Sequence, residues 1–122
     1  MFQGKAEEAM NFYMSLFPQS GINDVVRYGP GEAGAEGYIM KASFSMGGQS
    51  VLCTDSAVKH EFTFTPAISF FVVCESEEEI GCLSAALSEG GVTLMPLGNY
   101  GFSQKFAWVN DRYGVSWQLN FE

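Results

Sequence analysis

The chain spells one supersecondary unit twice, and that repetition restricts it to folds built from a duplicated module. Residues 5–17 place Ala6, Ala9, Phe12, Tyr13, Leu16 and Phe17 at helical spacing, and residues 18–21, which include Pro18 and Gly21, supply the stop. A second helix is predicted over 77–89. There Ser76 and Glu79 form a capping box, Ile80, Leu83 and Leu87 make the apolar stripe, and Gly90-Gly91 ends the element. Aligning the helix cores pairs Ala9 with Ile80, Phe12 with Leu83 and Leu16 with Leu87.

Strand material follows each helix. The first is followed by 24–28, a loop rich in Gly and Glu over 29–37, and then 38–46, where Tyr38, Met40, Ala42, Phe44 and Met46 alternate with Ile39, Lys41, Ser43 and Ser45. Gly47-Gly48 is a two-residue hairpin signal leading into 49–55. The second is followed by 92–95, a loop over 96–103, and a hairpin whose strands flank the turn 110–114. In its last strand Val115, Trp117, Leu119 and Phe121 alternate with Ser116, Gln118 and Asn120, one apolar and one polar face. The hairpin turns align Gly48 with Gly114, and the longer 29–37 loop absorbs the difference in spacing. A leading strand over 67–74 opens the second unit. Its counterpart in the first would begin upstream of Met1, leaving only residues 1–3, so the first strand of module 1 is expected to be truncated.

A length of 122 residues with 47% hydrophobic and 15% aromatic content matches one ordinary domain with a real core, with module 1 at about 1–57 and module 2 at about 66–122. Fourteen acids against six Lys and Arg give a net charge of −8, which argues against nucleic acid as a partner. Glu77, Glu78 and Glu79 have a structural explanation in the first turn of a helix. No secretory leader and no apolar run of membrane-spanning length is visible, so a cytoplasmic protein away from the membrane is expected. Cys53, Cys74 and Cys82 lack zinc-type spacing and lie in apolar stretches, as reduced core thiols do.

Several phrases are more specific than the repeat. Residues 2–13 (FQGKAEEAMNFY), Arg27-Tyr28-Gly29, Phe62-Thr63-Phe64, Ala67-Ile68-Ser69-Phe70 and the run from Asp111 to Gln118 (DRYGVSWQ) together resemble the vicinal oxygen chelate superfamily of glyoxalase I, bleomycin resistance proteins and extradiol dioxygenases. Within it they look like the PhnB-like branch, often labelled a demethylubiquinone 3-methyltransferase domain. The resemblance implies an α+β fold of tandem βαβββ modules forming curled mixed sheets around a cup, and a homodimer. It also implies metal ligands on the first and last strands of each module. The last-strand pattern, Gly followed four residues later by Glu, runs here from Gly114 to Gln118. The sister position is Leu52, and the His position of the leading strand falls on or near Ala67. A neutral amide and two aliphatic side chains are poor ligands for a divalent cation, so no metal and no cofactor is expected.

The residues expected to face a ligand pocket are Asp55, Ser69, Phe71, Tyr100, Trp108 and Gln118. Ser116 and Asn120 share the alternation, and Trp117 reads as core. Asp55 ends a strand, where it would face the cup or cap a loop. The loop 97–102 sets Tyr100 between two glycines, as a lid or as a surface loop with one anchored aromatic. His60, the only histidine, sits in a polar connector with no identifiable catalytic partner. The expectation is metal-independent binding of a small apolar or aromatic molecule. A metal-dependent lyase, isomerase or dioxygenase using Asp55, His60 or Gln118 is the alternative, and the methyltransferase of the family label is disfavoured because no Gly-rich strand-to-helix turn is visible.

Overall fold

A computed structural model describes residues 1–122, which divide into two compact units, Met1–Glu61 and Phe62–Glu122. No helix is long and apolar enough to cross a membrane. In the first unit α1 (Ala6–Leu16) precedes β1 (Gly21–Arg27), β2 (Ile39–Met46) and β3 (Gln49–Cys53), which form an antiparallel sheet in the order β1-β2-β3. The second unit adds a leading strand: β4 (Phe70–Val73), α2 (Glu77–Ser88), β5 (Val92–Gly98), β6 (Lys105–Asn110) and β7 (Ser116–Phe121). Its sheet runs β4-β7-β6-β5, with β4 parallel to β7 and the rest antiparallel. The α+β class and the helix-then-strands repeat are therefore as the sequence predicts.

Ahead of α1 the first unit has a single bridge where the second has β4. Phe2 bridges Asp55 in parallel, and its N–H donates to the Thr54 carbonyl at 2.7 Å. In the second unit the Cys74 N–H donates to the Asn120 carbonyl, also at 2.7 Å. The two bonds occupy equivalent places, just ahead of each helix.

Both helices bury one stripe against their own sheet. On α2 the stripe is Ile80, Leu83 and Leu87, packed on β6 and β7. On α1 it is Ala6, Ala9, Met10 and Tyr13, so Met10 takes the central place expected of Phe12, which is only half-buried. Residues at i, i+3, i+4 and i+7 share a narrower arc than the sequence pattern assigned, and Phe12 falls at its edge.

Helix capping differs between the repeats. Ser76 Oγ accepts from the Glu79 N–H at 3.0 Å while Glu79 Oε2 accepts from the Glu75 N–H at 2.9 Å, a reciprocal local cap. Lys5 gives α1 no such cap. Asp55 supplies it from the far end of the β2–β3 hairpin: Oδ1 accepts from the Gly4 and Ala6 N–H groups at 2.8 and 3.0 Å, and Oδ2 accepts from the Ile39 N–H at 2.9 Å. A buried carboxylate with three backbone donors joins helix start, strand start and strand end.

Three strand expectations change. Met40 is an extra residue in the β1–β2 register, between Val26↔Lys41 and Arg27↔Ile39, so Ile39 turns inward and is buried while Tyr38 is exposed. β5 continues through Pro96 to Gly98 because it is an edge strand, where a missing N–H costs no ladder bond. β4 begins at Phe70, and Ala67 lies in the preceding turn. The Gly47-Gly48 hairpin forms as expected, with φ of +59° and +85° at its two turn residues.

Cys53 and Cys74 are buried, whereas Cys82 is exposed on α2, opposite the stripe, and is not a core thiol. Burial, reinforced by the Glu79 carboxylate, pushes the Cys74 thiol up to about 11. The protonated thiol therefore favours the native state fully below the ordinary value of 9.0, and that contribution is lost as pH rises through about 11. Urea stability should fall across that window less steeply in Cys74→Ala than in the parent protein. In the same assay at neutral pH, Asp55→Ala should lose about 3 kcal/mol or more, because it strands three backbone donors, and Ser76→Ala about 1 kcal/mol.

Candidate functional site

Strand register places three side-chain rows on the face of the second sheet that points away from α2. The central row is Phe71, Gln118, Trp108 and Met95, four consecutive cross-strand partners on β4, β7, β6 and β5. On one side lie Val73, Asn120, Phe106 and Gly98; on the other, Ser116, Asn110 and Val92, with Ser69 ahead of β4. The opposite face carries Trp117 and Leu119, both fully buried, and Phe70, whose ring lies 4.9 Å from that of Trp117.

The register of β7 is held from its turn. Asp111 Oδ1 accepts from the Tyr113 and Val115 N–H groups at 2.8 and 3.1 Å, and Oδ2 accepts from the Trp117 indole N–H at 2.8 Å. Trp117 is thereby core, as the alternation predicts.

Polar side chains on the open face form a chain. The Trp108 indole N–H donates to Ser116 Oγ at 2.9 Å, Ser116 and Ser69 share a bond at 2.6 Å, and Gln118 Nε2 donates to Ser69 Oγ at 3.3 Å. Ser116 is buried; Ser69, Trp108 and Gln118 are half-buried, and Phe71 is 58% exposed. Of the sequence-derived candidates, Ser69, Phe71, Trp108 and Gln118 come together here.

Tyr100 lies at the edge of this group. Its hydroxyl donates to the Pro96 carbonyl at 2.5 Å, its ring stands edge-on to Phe106 at 6.3 Å, and it stacks on Phe102 at 6.4 Å. Phe102 meets Phe106 edge-on at 5.0 Å, so two aromatics of the 97–102 loop are seated on the row beside Gln118. Asp55 belongs to the other unit, where its carboxylate is spent on three backbone N–H groups. His60 Nε2 shares a bond of 2.8 Å with Ser56 Oγ.

Met95 completes the central row and was not among the sequence candidates. The β5–β6 register shifts at Thr93/Met95 and Met95/Gly98, so simple alternation along β5 does not find it.

The positions that would carry metal ligands do not fit a divalent cation. Gln118 is a neutral amide already donating to Ser69, Leu52 is an exposed aliphatic side chain on β3, and Ala67 precedes its strand. No three His, Cys, Asp or Glu side chains converge anywhere in the chain.

A duplicated helix-and-sheet module with an open sheet face is the glyoxalase/bleomycin resistance fold. A protein of that description from Albidiferax ferrireducens shares it at a TM-score of 0.62 and 17% identity, over 100% of this chain and 93% of the other. Residues 1–120 match the model of the 3-demethylubiquinone-9 3-methyltransferase family, and the chain belongs to that family. A Bacillus cereus PhnB protein carrying the same methyltransferase name is 56% identical, with a TM-score of 0.98 over 100% of this chain and 95% of its own. The protein PA1353 from Pseudomonas aeruginosa is 28% identical, with a TM-score of 0.84 over 99% and 92%. No curated protein matches this chain.

Ser116→Ala should leave the Trp108 indole N–H without its acceptor. The expected result is an upfield shift of the Trp108 indole proton and a stability loss of about 1 kcal/mol, with the Trp117 indole signal unchanged.

Proposed function

We propose that this protein binds a small apolar or aromatic molecule, without a metal, on the open sheet face of its second unit in a dimeric cup. The observation that carries this reading is the central row, where Phe71, Trp108 and Met95 provide an apolar floor and Gln118 a single polar group between them. Such a floor with few polar points is the ordinary make-up of a small-molecule site. Exposed Ile68, Phe71, Val73, Val92 and Phe102 supply apolar surface for a second copy.

Methyl transfer is the disfavoured reading of the family name. A methyl-donor site of the common kind is built on a doubly wound parallel sheet, while the parallel pairing in this chain is confined to β4 with β7 and the Phe2–Asp55 bridge.

Titration with the neutral fluorophore N-phenyl-1-naphthylamine tests the reading. Saturable binding at one site per chain is expected, weakened about tenfold by Phe71→Ala, the equivalent of about 1.4 kcal/mol. Sedimentation should give twice the 13.3 kDa chain mass. Stoichiometric metal in protein purified without chelators would overturn metal independence, and absence of saturable binding would overturn the site.

A further inference from the structure

Hydrogen-bond accounting on the open face fixes the direction of the Ser69–Ser116 bond. Ser116 Oγ accepts from the Trp108 indole, which can only donate. The Ser116 hydroxyl is buried, and Ser69 Oγ is the one other group bonded to it, so its proton goes to Ser69. Ser69 Oγ then accepts twice, from Ser116 and from Gln118 Nε2. Its own proton is left over, on a half-buried side chain at the margin of the floor. Gln118 gives one of its two amide hydrogens to Ser69 and keeps Oε1 as an acceptor.

The neighbouring rows hold amide oxygens that no ligand on the floor reaches. Asn110 Oδ1 and Asn120 Oδ1, which share this face on either side of the Gln118 row, are buried without partners. The edge of the floor therefore offers the Ser69 hydroxyl proton and a second Gln118 amide hydrogen as donors and Gln118 Oε1 as an acceptor, on a chain of net charge −8. The net negative charge disfavours an anion, and a ring without polar atoms leaves Ser69 and Gln118 unanswered.

We infer that this face selects a neutral planar ring bearing a hydrogen-bond donor and an acceptor on one edge, as a lactam or a phenol does, with Gln118 Oε1 taking the ligand's proton and the Ser69 hydroxyl donating to its oxygen. The inference rests on the proposed small-molecule site and adds its specificity. Phe71, Trp108 and Met95 contact the ring's plane, while Ser69 and Gln118 read its edge. Ser116 is a positioning residue, since it sets which way the Ser69 proton points.

The test compares 2-pyridone, phenol, anisole, toluene and benzoate by ¹H–¹⁵N NMR titration, following the Trp108 indole and Gln118 side-chain amide signals. 2-Pyridone and phenol should bind at least tenfold more tightly than anisole and toluene, with benzoate weakest. Ser69→Ala and Gln118→Leu should each bring phenol to the level of toluene without weakening toluene, and Ser69→Thr should restore the preference. If all the neutral rings bind alike, the donor–acceptor inference fails while the apolar site survives. A tighter fit of anisole than phenol also overturns the inference. If none binds, the proposed site fails as well.

Discussion

The second unit depends on the register of β7. That strand pairs parallel with β4 and antiparallel with β6, so each of its side chains belongs either to the helix-facing core or to the open face. A slip of one residue would send Trp117 and Leu119 outward and bring Ser116 and Gln118 into the core. Asp111 resists that slip from the turn, because its carboxylate holds the Val115 backbone and the Trp117 indole together. A buried acid in the turn thus decides which residues reach the open face.

The two modules have kept the same frame with different surfaces. Leu52 and Gln118 occupy matching strand positions, and each has a cross-strand partner on the preceding strand, Ser43 for Leu52 and Trp108 for Gln118. In the first unit the exposed aliphatic group lies opposite a hydroxyl; in the second, an amide lies opposite an indole. The second arrangement alone combines an aromatic wall with a connected polar chain.

Much of this was legible in the residues. The period of Val115 to Phe121 separated Trp117 from Gln118, the Ser76–Glu79 spacing located the start of α2, and Gly47-Gly48 located a hairpin. The fold followed from reading the unit twice. What stayed hidden depended on insertions in a ladder or on contacts distant in sequence. The extra residue at Met40 reversed Ile39, and register shifts along β5 concealed Met95. Asp55 had two local explanations and took neither alone, because its donors lie 51, 49 and 16 residues away.

That distant cap makes the two helix starts depend on different reaches of chain. α2 carries both halves of its capping box within five residues, 75–79, so its first turn can close as soon as that segment is made. The start of α1 has its donors answered only once the β2–β3 hairpin has delivered Asp55, and closing so long a loop must precede that gain. A duplicated architecture here has two kinds of helix start: the second is capped within its own segment, and the first only by a residue delivered from its sheet.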